Sequence, residues 1–142
     1  MSELKNQPFV WQVRVYFEDT DAGGVVYHSR YLNFFERART EMLRAMGVSQ
    51  TELRDNHKLI WVVLEINVKF KQAARLDDEL LVSASLEWVK GVRQGFSQEM
   101  KRISDGVVVA TAELSAVMLH ADSLKPARTP AWIKAELLKN AE

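Results

Sequence analysis

The chain has 142 residues, a length typical of one domain, and we predict a single domain over residues 1–142. Hydrophobic residues make up 47% of the chain, which is enough to build a core, and the 19 basic and 19 acidic residues cancel, so no net field favours nucleic acid or an anionic membrane. The absence of cysteine excludes disulfides, thiolate metal sites and a cysteine nucleophile.

The N-terminal part of the sequence predicts a strand, a turn and a helix. The strand is predicted over Val10–Phe17, where every second residue is apolar. The segment Glu18–Gly24 is a turn by composition, because its glycines permit positive φ and its aspartates can bond nearby amides. A helix is predicted over about Arg30–Met46, with Ser29 as its N-cap and Gly47 as its C′ residue. Its apolar stripe is broad and aromatic, which indicates a buried helix.

Four long strands and a short helix are predicted in the rest of the chain. Alternating apolar residues mark the strands Ile60–Phe70, Leu80–Trp88 and Val107–Leu119. Val92–Ile103 alternates less cleanly but has no helical pattern, so it is also predicted as a strand, and a short helix capped by Thr129 runs to about Lys139. The first two of these strands are joined by a charged turn, and the last two by the hairpin turn Ser104-Asp105-Gly106. Such long strands with short turns predict an α+β architecture, one curved antiparallel sheet wrapped around the central helix. The alternation does not determine the strand order.

A long block of sequence carries a family resemblance. The segment YFEDTDAGGVVYHSRYLNFFERARTE, residues 16–41, and the later AARLDDE, residues 73–79, resemble the hotdog-fold acyl-CoA thioesterases of the YbgC type, which are associated with the Tol-Pal system. The chain is more distantly similar to bacterial 4-hydroxybenzoyl-CoA thioesterase. The resemblance implies a hotdog fold, an acyl-CoA substrate, and a homodimer or homotetramer with active sites at the dimer interface. It implies no metal and no cofactor, and it admits an acyl carrier protein as a partner.

The resemblance also implies roles for particular residues. In the family motif Asp-x-Asp-x-x-Gly the second aspartate is catalytic, and Asp21 occupies that position, with Gly24 as the motif glycine. His28 matches a position that YbgC-type proteins fill with histidine, whereas the 4-hydroxybenzoyl-CoA enzyme has tyrosine there. Lys90 and Arg93 correspond more loosely to a region that binds the phosphates of CoA in relatives.

Thioester hydrolysis requires an oxygen nucleophile and a site that stabilises negative charge on the carbonyl oxygen. Asp21 can attack the carbonyl and form a mixed anhydride, or it can deprotonate water, and the sequence leaves both roles open. The backbone N–H groups of His28 and Ser29, at the predicted helix start, are the candidate oxyanion donors. Gly24 allows a thioester to approach the backbone closely, and the His28 imidazole can orient the carboxylate or assist the departing thiol.

Other readings of the same residues lead to competing hypotheses. Asp19 is expected to play a structural part in the turn, and His57 and His120 are expected at the surface, without the spacing of a metal site. A hydratase or dehydratase on the same fold, or a non-catalytic partner of a carrier protein or of envelope machinery, are the alternative functions. Residues 1–8 lack the apolar stretch of a signal peptide and no apolar run is long enough to cross a bilayer, so a cytoplasmic location without a membrane span is expected.

Overall fold

The computed structural model describes residues 8–139. In chain order, the elements of this part are β1 (Phe9–Arg14), α1 (His28–Ala45), α2 (Gln50–His57), β2 (Leu59–Phe70), β3 (Glu79–Lys90), β4 (Arg93–Arg102), β5 (Val108–His120) and α3 (Ala131–Lys139). Among these helices, none has the length and apolar character that a membrane span needs.

The five strands form one antiparallel sheet in the order β1-β3-β4-β5-β2, and α1 packs against one of its faces. Phe34, Phe35 and Ala38 of α1 are fully buried against the strands. The expectation of a sheet wrapped around a buried helix is therefore confirmed. The order leaves β1 at one edge of the sheet and the twelve-residue β2 at the other.

The predicted inward face of the strand β5 is buried from Ala110 onward. At the start of the strand the register with β4 is irregular, and Val109 is fully buried whereas Val108, which was predicted to face inward, is half-buried. The helix-facing residues that follow are all buried, namely Ala110, Ala112, Leu114, Ala116 and Met118. β5 lies between β4 and β2 and is hydrogen-bonded on both sides, and its buried face specifies its register.

The structure corrects two predicted boundaries near the N-terminus. β1 ends at Arg14, and Phe17 lies in a 3₁₀ turn with 81% of its surface exposed, although it was predicted to share the buried face of the strand. The chain turns there because the Asp19 carboxylate accepts a hydrogen bond from the Tyr16 N–H. The helix α1 begins at His28 with Tyr27 as its N-cap, so the prediction of Ser29 as N-cap was wrong by two residues.

The edge strand β2 departs from simple alternation. A β-bulge interrupts its register with β5 between Val63 and Glu65. Odd-numbered residues therefore face inward before the bulge, and even-numbered residues face inward after it. Trp61 therefore packs against the core on one side of the bulge and Ile66 on the other. The single apolar face predicted for Ile60–Phe70 is wrong in its first half, where Val62 is 38% exposed and faces away from the core.

Candidate active site

Asp21 lies at the tip of a tight hairpin that precedes α1. Thr20 and Val26 form a bridge between its two arms, and the Asp21 N–H donates to the Val25 carbonyl at 2.9 Å. The Gly24 N–H closes the turn on the Asp21 carbonyl at 3.0 Å. Gly24 has a φ of +78°, which a residue with a side chain adopts only with strain. The turn predicted from composition is therefore present and holds the aspartate at its tip.

The Asp21 side chain is exposed and only partly engaged. Its Oδ1 accepts the Gly23 N–H at 2.8 Å, which orients the carboxylate, and within residues 8–139 its Oδ2 has no hydrogen-bond partner. A Cβ at Gly23 would lie 3.3 Å from this Oδ1, so the glycine leaves the carboxylate uncrowded. One oxygen is thus fixed by the backbone while the other is free to attack a carbonyl or to accept a proton.

The returning arm of the hairpin ends at the start of α1. The Arg30 N–H donates to the Tyr27 carbonyl at 2.8 Å, whereas the N–H groups of His28 and Ser29 have no acceptor in the described part of the chain. From the spacing of strand residues, the Cα atoms of Asp21 and His28 are about 10 Å apart. A carboxylate side chain and a thioester carbonyl together can span that gap.

The remaining motif positions contribute in different ways. The Gly24 N–H is already bound to the Asp21 carbonyl, whereas the two predicted backbone donors, His28 and Ser29, both have an N–H available. The His28 ring is exposed and packs on the Tyr27 ring, with 4.4 Å between ring centroids. The imidazole therefore lies at the surface beside the unpaired donors.

Asp19 is the buried support of the hairpin. It is 2% exposed, its Oδ2 accepts the Tyr16 N–H at 2.9 Å, and its backbone carbonyl accepts the Tyr27 N–H at 2.9 Å. Its Oδ1 lies 3.7 Å from Arg30 Nε, although it has no hydrogen-bond partner among the described residues. The first aspartate of the motif therefore connects the arm before Asp21 to the residue that precedes α1.

Replacing Asp19 with alanine is expected to lower the free energy of unfolding by about 1–2 kcal/mol, because the turn loses the carboxylate that caps it. Urea denaturation of the purified variant measures this change. Glu18→Ala, at the exposed neighbouring position, is the matched control and is expected to change stability by less than about 0.5 kcal/mol. Equal stability of the two variants would contradict a supporting role for Asp19.

The hairpin is also tied to the end of β2. The Val26 N–H donates to the Ala74 carbonyl at 2.8 Å, and the Ala74 N–H donates to the Tyr31 hydroxyl at 3.1 Å. The Tyr31 ring meets Phe70 edge to face at 5.2 Å between centroids. Asp21 and the start of α1 therefore belong to the end of the sheet at which β2 finishes.

Lys90 and Arg93 lie at the opposite end of the sheet. They flank the β3–β4 turn, both are exposed, and Lys90 Nζ lies 5.6 Å from the centroid of the Trp88 ring. β3 begins beside the hairpin and runs for 12 residues before it reaches Lys90, a distance of about 35–40 Å. One protomer therefore does not bring the predicted phosphate-binding residues to Asp21.

Three other titratable residues of the described chain, Glu36, His57 and His120, lie at the surface. Glu36 accepts a hydrogen bond from the Thr40 hydroxyl at 2.6 Å. Within residues 8–139 no group of three or more His, Cys, Asp or Glu side chains could hold a metal ion.

Two buried polar residues on the inner face of the sheet were not predicted from the sequence. Gln94 and Gln98 of β4 are 0% and 4% exposed, and they contact Trp61 and Arg39 respectively through their side-chain oxygens. The signal for them was present, because both glutamines occupy inward positions of a strand whose alternation is otherwise apolar.

Comparison with known proteins gives one consistent result. A family model described as the thioesterase-like superfamily matches residues 15–137. The acyl-CoA thioesterase YbgC of Haemophilus influenzae is 44% identical over 127 residues, which cover 89% of this chain and 92% of that protein. The acyl-CoA thioester hydrolase YbgC of Escherichia coli O157:H7 is 41% identical over 128 residues, which cover 90% of this chain and 94% of that protein. The crystal structure of a 1,4-dihydroxy-2-naphthoyl-CoA thioesterase from Synechocystis has the same fold, with a TM-score of 0.86 at 21% identity and coverage of 93% and 96%.

Proposed function

The chain belongs to the thioesterase-like superfamily, in its YbgC-type branch, and is an acyl-CoA thioesterase; from this premise we propose that Asp21 is the catalytic residue that cleaves the thioester. The observation that carries the proposal is the hairpin, which holds a half-engaged carboxylate next to a helix start with unpaired N–H groups. The Asp21 carboxylate either attacks the carbonyl carbon and forms a mixed anhydride, or takes a proton from the attacking water.

The start of α1 is the proposed oxyanion site. As the carbonyl carbon becomes tetrahedral, its oxygen gains negative charge, and the N–H groups of His28 and Ser29 donate hydrogen bonds to it. The positive end of the helix dipole adds to this stabilisation. The leaving CoA thiolate needs little assistance because a thiol has a pKa of only about 8.5. The exposed His28 imidazole is suited to protonating that thiolate or to orienting the carboxylate.

The free edge of β2 supports a dimer. Val62, Val63 and Leu64 are 38%, 42% and 50% exposed on this twelve-residue edge strand, and a long apolar edge is prone to pair with another strand. Pairing of β2 with β2 of a second copy, antiparallel across a two-fold axis, would extend the sheet to ten strands and cover these side chains. A tetramer built from two such dimers, and docking of an acyl carrier protein, stay predictions.

The same pairing would complete the substrate site. The two-fold axis reverses the ends of the sheet, so Lys90 and Arg93 of one protomer come to the end at which Asp21 of the other lies. From strand spacing, β4 of one protomer is about 14 Å from β2 of the other, a gap suited to the pantetheine arm between the thioester and the CoA phosphates. We therefore assign the two basic residues to the phosphates of a substrate that the partner subunit hydrolyses. An Arg can bind a phosphate with two parallel hydrogen bonds.

The direct test is release of free CoA from a panel of aliphatic and aromatic acyl-CoAs by the purified protein, followed with a thiol reagent. Turnover of at least one acyl-CoA is expected, and a 2-enoyl-CoA in the same panel is expected to lose its thioester without being hydrated. Hydration without CoA release would support the dehydratase alternative instead. A single turnover in water enriched in heavy oxygen tests the anhydride route, because label enters the Asp21 carboxylate only when an anhydride forms and water attacks its aspartyl carbonyl.

A further inference from the structure

A cavity of about 210 Å³ lies between α1 and the exposed edge of β2. Most of its lining is apolar, including Leu43 of α1, Trp61 and Val63 of β2, and Phe96 of β4. A dry apolar cavity of about 150 Å³ is large enough to bind benzene, so this one can hold a hydrocarbon group of similar or slightly larger size. The polar part of the lining is on the helix side and includes Arg39.

The Arg39 side chain is half-buried, and its guanidinium has unused donors. Its Nη1 donates to Gln98 Oε1 at 2.9 Å, and within residues 8–139 no carboxylate comes within 4.0 Å of it, since Glu36 binds the Thr40 hydroxyl instead. Burial lowers the pKa of Arg39, and the nearby negative charge of Glu36 partly opposes that shift. A guanidinium carries five N–H donors and burying them unpaired is unfavourable. Among the described residues only Asp19 Oδ1 is a sealed polar side-chain atom without a partner, so the other nitrogens of Arg39, a residue that lines the cavity, stay accessible to solvent.

Two polar groups of the cavity wall, the Arg39 guanidinium and the Trp61 indole N–H, donate to buried glutamines. Gln98 donates from Nε2 to the carbonyls of Phe35 at 2.9 Å and Ser83 at 3.1 Å, which fixes the oxygen that receives Arg39. Gln94 in the same way accepts the Trp61 indole N–H at 2.8 Å. Groups that are locked by such contacts keep their geometry when a ligand binds. The cavity is therefore preorganised, with an apolar body and a fixed cluster of donors on one side.

The proposed dimer places this cavity near the other protomer's catalytic carboxylate. Pairing about the middle of β2 sets Val63 opposite roughly residue 66 of the partner, about 13 Å from the strand end beside the partner's Asp21. The distance along β2 to the corresponding strand end in the same protomer is about 23 Å. The cavity is thus better placed to serve the site of the neighbouring subunit.

We propose that this cavity receives the far end of the acyl group and that Arg39, positioned by Gln98, selects acyl groups that carry an acceptor oxygen at that end. This inference rests on the proposed thioesterase function. The selected acyl groups share an oxygen that accepts hydrogen bonds from the guanidinium, and this oxygen belongs to either a hydroxyl or a carboxylate group. An acyl chain with a bare methyl end would fill the cavity but leave the donors unpaired.

The test compares octanoyl-CoA with its ω-hydroxy and ω-carboxy counterparts in the wild-type protein and in Arg39→Met, which keeps the bulk of the side chain and removes its donors. The wild type is expected to prefer at least one oxygenated substrate in kcat/KM. In Arg39→Met that preference is expected to fall about 10- to 100-fold, while kcat/KM for octanoyl-CoA is retained or raised. The oxygenated substrate whose kcat/KM falls further in Arg39→Met identifies the preferred oxygen group.

The controls separate this inference from the proposed function. Arg44→Met removes an exposed arginine of the same helix and is expected to leave the substrate ratio unchanged. Arg39→Lys keeps the charge with fewer donors and is expected to give an intermediate ratio, which supplies a measurement if Arg39→Met does not fold. No CoA release from any substrate would sink the thioesterase proposal itself. Two results would overturn the role of Arg39 alone. One is wild-type turnover without preference for an oxygenated substrate, and the other is an Arg39→Met variant with the same substrate preference as the wild type.

Discussion

Asp21→Asn is expected to lower kcat by about 10²–10⁴-fold while the protein stays folded, because the carboxylate that attacks the thioester or deprotonates water is lost. The substitution is close to isosteric. The asparagine Oδ1 can still accept the Gly23 N–H, which lies 2.8 Å from the aspartate oxygen, so the turn keeps its orienting hydrogen bond. KM is expected to change little, since the proposed binding contacts lie elsewhere. Steady-state release of CoA, together with thermal unfolding of the same samples, measures both effects.

The matched control for this experiment is Glu18→Gln, which removes an exposed carboxylate from the same turn. Its kcat is expected to equal that of the wild type within experimental error, which would show that loss of negative charge near the hairpin is not sufficient to stop turnover. Undiminished turnover in Asp21→Asn would remove Asp21 from the mechanism, and it would direct attention to a water held by the backbone donors alone.

The fold was predictable where local pattern and tertiary packing agree. β5 is paired on both sides, and its predicted inward residues from Ala110 to Met118 are all buried, although the register irregularity near Val109 breaks the alternation at the start of the strand. β2 is paired on one side only, and its bulge at residues 63–65 changes which side chains face inward, a choice that apolar residues on both faces leave undetermined. The helix α2 was not predicted, because it is polar and buries only Leu53. Its signal was the N-cap Ser49, whose side chain accepts the Glu52 N–H, an S-x-x-E pattern.

The candidate site was predictable in part. The position of Asp21 came from the motif, and the structure adds how its hairpin is braced by Asp19. The separation of Asp21 from Lys90 and Arg93 was not foreseeable, because it depends on which end of the sheet each turn occupies, and that follows from the strand order. Periodicity reports which face a residue occupies, whereas the end of the sheet is decided by long-range pairing.

A heterodimer of two defective chains is expected to recover about half of the wild-type activity, because each substrate site is shared between subunits. One chain carries Asp21→Asn and the other carries Lys90→Ala with Arg93→Ala. The double substitution alone is expected to lower kcat/KM by about 100-fold or more, since it removes two charge-assisted hydrogen bonds to phosphate. In the heterodimer, one site combines the intact Asp21 of one chain with the intact basic pair, Lys90 and Arg93, of the other. Co-expression with two different affinity tags isolates this species for assay at low substrate concentration.

The activity of this heterodimer separates the two arrangements of the site. If the basic pair served Asp21 of its own chain, both sites would be defective and the activity would not exceed that of the better parent. A heterodimer of Asp21→Asn with wild type calibrates the assay, because it has one intact site under either arrangement. The shared arrangement follows from an antiparallel sheet whose free edge is β2, since a two-fold axis there must reverse the ends. Recovery to the level of the calibrating heterodimer would establish that the subunits exchange these residues, and recovery no higher than the better parent would refute it.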